Sequence, residues 1–132
     1  MHKAIHHEKH TLSCHCGNVQ LSFESMPESV TSCNCSICRR YAALWGYFSP
    51  KDVLVTIKKI ETKAYRWGDG YIDFQHCSIC GCVTHYTSSS KADSSRTAIN
   101  FRLADNLANL HVRYFDGADS WQTLDECEVR KV

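Results

Sequence analysis

The chain has 132 residues, a formal charge of +1, and 43% hydrophobic against 22% charged residues, the profile of one ordinary globular domain. That balance argues against a general basic field for nucleic acid and against an acidic solvating tail, and no apolar run approaches the ~18 residues of a membrane span. Residues 1–10 lack the apolar core of a signal peptide, so a cytoplasmic location is expected.

In chain order, residues 1–10 carry four histidines among Lys and Glu and read as a flexible, solvated tail before a single domain over 11–132. Val19, Leu21 and Phe23 alternate with polar residues, a half-buried strand that Pro27 ends. A second strand is expected over 29–33, one helical turn over 39–43, and an apolar strand over 44–48. Val53, Val55 and Ile57 mark another strand, followed by one over 64–67, and Gly68-Asp69-Gly70 reads as a hairpin turn into 71–76. Residues 83–87 are strand-like, and 88–95 form a Ser/Lys/Asp loop without periodicity, read as mobile. The last strands are expected at 98–102 and 110–115, joined by a turn or short helix over 104–108. No amphipathic stretch is long enough for a major helix. The fold class is therefore mainly β, with strands roughly ten residues apart.

Short strands with a limited core need cross-links, and the cysteines supply candidates. There are nine, an odd number in a chain without an export signal, which favours metal binding over a disulfide scaffold. Seven fall into three groups: Cys14 and Cys16; Cys33, Cys35 and Cys38; Cys77 and Cys80. Alternate side chains of a strand lie roughly 6–7 Å apart, too far for neighbouring zinc thiolates, so a C-x-C pair must sit in a turn. Gly17 and Gly81 follow such pairs and can take the positive φ that curls backbone N–H groups toward sulfur. Two turns, from Cys14/Cys16 and Cys77/Cys80, would place four thiolates about 2.3 Å from one zinc, a closed structural site.

The central group then offers only three thiolates. Its fourth position belongs either to another side chain, with Cys82, Cys127, His76, His85 and His111 as candidates, or to water or substrate. Spacing alone leaves the grouping open, and a single four-thiolate site with the other thiols free is the alternative.

The runs S-C-H-C-G-N-V at 13–19, C-N-C-S-I-C-R-R at 33–40 and C-S-I-C-G at 77–81, with N-F-R-L at 100–103 and F-D-G-A-D-S-W at 115–121, resemble the glutathione-dependent formaldehyde-activating enzyme family, which includes the centromere protein V type. The resemblance spans about residues 11–121. It implies Mss4-like packed antiparallel sheets with zinc-binding cysteine turns and few short helices. It also implies two zincs per chain, a structural one on Cys14, Cys16, Cys77 and Cys80 and a catalytic one on Cys33, Cys35 and Cys38. The implied activity is that of a carbon–sulfur lyase of the S-hydroxymethylglutathione synthase type, with glutathione and formaldehyde as partners. The chain is short beside the members that use glutathione, so the zinc chemistry carries over further than the substrate.

Zinc on three thiolates is a weak Lewis acid whose natural fourth ligand is a soft donor. A thiol there would be held as a nucleophile, or an aldehyde polarised for attack by one. Arg39 and Arg102 are candidate clamps for a substrate carboxylate, with Arg40 beside them, against solvated arginines or a structural ion pair. Trp45, Tyr47 and Trp121 are candidate pocket walls or core. Two other classes compete: a non-catalytic zinc module binding protein or nucleic acid, and a thiol redox or metal-buffering protein. Lys58, Lys59, Lys63 and Arg66 offer the former only a local patch, which also reads as a solvated strand edge.

Overall fold

The computed structural model describes residues 9–92 and 95–125. Strands β1 (His10–Ser13), β2 (Val19–Phe23) and β5 (Leu54–Ile57) form a three-stranded antiparallel sheet in the order β1-β2-β5. The remaining strands are β3 (Ser29–Cys33), β4 (Trp45–Phe48), β6 (Lys63–Arg66), β7 (Ile72–His76), β8 (Val83–Ser88), β9 (Thr97–Asn100), β10 (His111–Phe115) and β11 (Thr123–Leu124). They make one eight-stranded sheet ordered β11-β10-β3-β4-β9-β8-β7-β6. The mainly β expectation therefore holds, with few helices: α1 (Ser36–Tyr41) and 3-10 turns at Pro50–Asp52 and Phe101–Leu103.

The middle of the large sheet is buried on both faces. One face packs against the small sheet through Leu21, Phe23, Val30, Ile99 and Phe101. The other carries Cys38, Ala43, Trp45, Phe74, Tyr86 and Ala98. This explains why all four residues of β9 are buried, since a strand covered on both sides has no solvent face to give to polar side chains. Burying the small sheet's Leu21 and Phe23 stabilises the sandwich by ~2 kcal/mol per side chain. At the far edge β6 is exposed at every position, and Arg66 is held there by Asp73 at 2.7 Å. Lys63 and Arg66 of the basic run thus lie on a solvated strand edge, while Lys58 and Lys59 are exposed in the bend after β5.

Several boundaries differ from expectation. His10, placed in the tail, belongs to β1 and its ring stacks 5.5 Å from Phe23; residues 1–8 lie outside the described residues. The helical turn expected over 39–43 begins earlier, inside the cysteine run, because Cys35 caps α1: its Sγ accepts the Cys38 N–H at 3.4 Å. The turn expected over 104–108 is preceded by the 3-10 turn at Phe101–Leu103, where the Asn100 side chain accepts from the Arg102 N–H. The Ser/Lys/Asp loop is anchored at its start. Ser89 is buried, its N–H donates to Tyr71 O at 2.8 Å, and its hydroxyl donates to Gly70 O. One strand pair departs from the antiparallel scheme: β3 and β10 run parallel, Phe115 opposite Cys33. That pair matters for function, because the turns that leave both strands emerge side by side.

Candidate metal centres and the cavity between the aromatic walls

The first centre is built from two matching turns. After β1, Cys14 N–H donates to Val19 O at 3.0 Å and Gly17 N–H to Cys14 O at 3.2 Å. After β7, Cys77 N–H donates to Cys82 O at 2.9 Å and Gly81 N–H to Cys77 O at 3.0 Å. Gly17 and Gly81 have φ of 84° and 81°, as the cysteine spacing predicts. The turns bring Cys14, Cys16, Cys77 and Cys80 together, every sulfur within 4.8 Å of the others. Cys14 and Cys16 sulfurs lie 3.7 Å apart and Cys16 and Cys77 sulfurs 3.6 Å apart. Four thiolates at ~2.3 Å from a tetrahedral ion would be separated by about 3.8 Å, so the sulfurs already stand where such an ion would hold them.

Donors aim at these sulfurs. Val19 N–H lies 3.3 Å from Cys14 Sγ, and Ile79 and Cys80 N–H lie 3.4 and 3.5 Å from Cys77 Sγ. Buried Asn18 donates to Cys77 Sγ at 3.6 Å while its carbonyl oxygen accepts from Lys59 and Ile60 N–H, tying the segment after β5 to the centre. Burial raises the Cys80 thiol, but the Cys82 and Cys16 backbone N–H groups outweigh it and hold it at about 6. Cys82 belongs to this neighbourhood, packed with Cys14, Val19 and Cys77, and not to the second centre.

The second centre comprises Cys33, Cys35 and Cys38, again within 4.8 Å of one another. β3 delivers Cys33, and α1 turns Cys38 back over it. Among the described residues no fourth Cys, His, Asp or Glu joins them. His76, His85 and His111 are therefore not ligands here, and Cys127 lies outside the described residues. His85 is buried and bonded to Thr84 Oγ1 at 2.8 Å, a packing histidine that burial holds down at about 4. The Cys38 thiol donates toward Cys33, which lowers Cys33 to about 6 and, with burial, raises Cys38. Trp45 Nε1–H donates to Cys38 Sγ at 3.3 Å. A cluster that yields its first proton so readily, with N–H groups aimed at sulfur, suits a soft divalent metal.

A loop seals one side. Asn34 donates to Asp116 Oδ1 at 3.0 Å and accepts from Ala118 N–H at 3.0 Å, and Asn34 N–H reaches Phe115 O at 3.2 Å. The Ser120 N–H and the Asn34 amide hold the Asp116 carboxyl below its ordinary range. Gly117 presses against the thiols so closely that a Cβ there would stand 2.5 Å from Cys33 Sγ.

The opposite side is open. A cavity of about 280 Å³ is floored by Cys33, Cys35 and Cys38, with Ile37, Ile72 and Gly117 beside them. Its walls are the rings of Trp45, Tyr47, Trp67, Phe74, Tyr86, Phe115 and Trp121. Trp45, Tyr47 and Trp121 thus line the cavity, Trp45 while being fully buried. Trp67, Phe74 and Tyr86 were not singled out by sequence; the strand order β6-β7-β8-β9-β4 brings Phe74 on β7, Tyr86 on β8 and Trp67, just after β6, across from Trp45. Arg39 and Arg102 are exposed and absent from the lining. Arg102 Nε–H instead donates to Ala42 O at 3.0 Å, at the end of α1, and Arg40 bonds to Ser36 O within the helix.

Fold and site together define a β-sheet protein with two cysteine clusters that could hold metal ions, one with four ligands and one with three. The fold is shared with a crystal structure of a Rhodobacter sphaeroides protein solved as a structural genomics target: TM-score 0.64, 22% identity, covering 78% of this chain and 99% of the other. No curated protein matches the sequence. The family model for the glutathione-dependent formaldehyde-activating enzyme matches residues 9–116, and the chain belongs to that family. No helix among the described residues is long and apolar enough to cross a membrane.

Proposed function

We infer that the protein is a zinc-dependent enzyme of carbon–sulfur lyase type, making and breaking adducts between a thiol and an aldehyde of the formaldehyde class. The observation that carries this reading is the three-cysteine cluster, without a fourth ligand among the described residues, at the floor of a ring-walled cavity. In this reading two zincs are held per chain, one by Cys14, Cys16, Cys77 and Cys80 and one by Cys33, Cys35 and Cys38, in a reducing cytoplasm that keeps the thiols free. Zinc on three thiolates would supply an open position for a soft donor, favouring a thiol's ionised form at neutral pH.

In the synthetic direction the thiol sulfur bonds to the carbonyl carbon, the C=O π bond opens, and the thiol's proton passes to the new hydroxyl oxygen. In the lyase direction these changes reverse, so no oxidant or reductant is needed. The chain's own part is to position the reactants and exclude water. The rings confine them above the cysteines, and the loop pinned by Asn34 and Asp116 closes the flank. Arg39 and Arg102 touch neither reactant space nor cysteine sulfur in the described contacts and receive no role.

The test is metal content joined to turnover. Two zincs are expected, one leaving to a mild chelator without unfolding, with formaldehyde–thiol exchange that Cys35→Ser abolishes. One tightly held zinc with three titratable thiols, or no thiol exchanging faster than with the variant, would reject the enzyme in favour of a redox or binding role.

A further inference from the structure

The character of the cavity wall says which thiol the site accepts. Among the described residues its lining contains no Asp, Glu, Lys, Arg or His; beside the three cysteines it is two isoleucines, one glycine and seven aromatic rings. The chain has three tryptophans, and all of them, Trp45, Trp67 and Trp121, face this one space. A carboxylate or ammonium buried there would lose its hydration with no oppositely charged side chain among the described lining residues to replace it. Two described cations touch wall rings without lining the cavity, and both are engaged: Arg96 stands 4.3 Å over the Tyr47 ring and donates to Tyr86 Oη at 2.7 Å, and Arg113 stands 5.9 Å over the Phe115 ring and donates to Thr31 Oγ1 at 2.9 Å.

Two further observations point to an apolar occupant. Trp67 and Trp121 are 48% and 72% exposed, a large apolar area that a ligand would remove from water. Trp121 also holds φ at +59°, a left-handed conformation that a tryptophan rarely adopts. Its N–H bond to Asp116 O at 2.8 Å and its edge-on contact with Phe115 at 5.4 Å fix it there. A volume of about 280 Å³ lies just below the ~300–1,000 Å³ range of ligand pockets and suits a compact occupant.

We propose that the substrate thiol is compact, uncharged and apolar, an arylmethyl or branched alkyl thiol, with its non-reacting group stacked among Trp45, Trp67 and Trp121; glutathione is not the preferred thiol. The proposal rests on the thiol–aldehyde reading above, and the experiment separates the two. Holoprotein is titrated with benzyl mercaptan, mercaptoacetate and glutathione, following tryptophan fluorescence. The same thiols are then assayed with formaldehyde by exchange NMR. Benzyl mercaptan should bind at least tenfold tighter than either charged thiol and show at least tenfold higher kcat/KM. Trp121→Ala should cut its affinity at least fivefold with two zincs retained, and Trp67→Ala should repeat the effect on the other wall. Glutathione binding as tightly as benzyl mercaptan, or both tryptophan variants binding it unchanged, overturns the proposal. Selective binding of benzyl mercaptan without turnover above Cys35→Ser would reject the lyase reading while supporting the recognised chemistry.

Discussion

Gly117→Ala tests whether the loop after β10 sets the geometry of the three-cysteine centre. A methyl group there would meet Cys33 Sγ at 2.5 Å and Cys35 Cβ at 3.4 Å. Ordinary contacts between such atoms lie at about 3.5–4.0 Å, so sulfur and loop must separate by about 1 Å. Neither can yield cheaply. Cys33 ends a strand whose parallel pairing with β10 places it opposite Phe115, and the loop is stapled by the Asn34 bonds to Asp116 and Ala118. Gly117 is not among the positive-φ glycines, so the effect is one of contact and not of backbone strain. Overpacking of this kind destabilises by about 1–3 kcal/mol, roughly 4–12 °C in Tm for a domain of this size. A 1 Å misplacement at a reacting centre can lower turnover about 100-fold. Zinc stoichiometry, thermal unfolding and thiol–formaldehyde exchange on one preparation decide the matter: the variant should hold the four-cysteine zinc, hold the other weakly, and turn over poorly. Two tightly held zincs with Tm within a degree of wild type would refute the reasoning.

Three further perturbations separate the centres. Gly81→Ala puts a side chain into open space at φ 81°, so only backbone strain of about 1–2 kcal/mol opposes it; Tm should fall several degrees while exchange activity on the remaining folded protein is unchanged. Trp45→Phe removes the N–H that Cys38 Sγ accepts at 3.3 Å and should weaken zinc at the three-cysteine centre about tenfold, read by competition with a chromophoric chelator. His85 has a folded pKa of about 4 against 6.5. The unfolded chain therefore binds the proton first, and stability falls as pH drops from 6.5 toward 4, by at most about 3 kcal/mol. His85→Gln should flatten that part of the Tm–pH curve relative to wild type, and parallel curves would remove His85 from the account.

Local patterning made some elements readable and left others hidden. Val19–Phe23 and Ser29–Cys33 are found at the expected bounds because alternation and a following breaker are encoded within a few residues. The cysteine turns were readable for the same reason: spacing and a following glycine are local. The start of α1 was not, because a thiol capping a helix falls outside the usual Ser, Thr, Asp and Asn signals. Arg39 was singled out for standing next to Cys38, yet the helix presents it to solvent. The cavity wall was half hidden. Trp45 and Tyr47 share a strand with the period that puts both on one face, whereas Trp67, Phe74 and Tyr86 reach the site only through long-range strand order. A composition-level clue existed in the rarity of tryptophan, since each of the three follows or precedes a turn or cysteine run. Asn18 and Asn34 were also passed over, though Asn18 stands two residues after Cys16, Asn34 separates Cys33 from Cys35, and each bonds to a segment far along the chain.

The two centres divide their labour by the length of chain each closes. Cys16 and Cys77 are 61 positions apart, and fixing such a separation lowers the entropy of the unfolded chain by an amount worth about 4 kcal/mol, if a metal acts like any cross-link. Cys33 to Cys38 close a loop of only six residues, worth about 2 kcal/mol on the same scale. The four-cysteine centre can therefore stabilise the sandwich, while the three-cysteine centre contributes little to holding the chain together. An ion that the fold does not depend on can keep an open coordination position without endangering the fold, and the cavity stands over that centre. Among the described residues a fourth ligand is lacking where its absence would destabilise least, and the rings of Trp45, Trp67 and Trp121 line the cavity above those three cysteines.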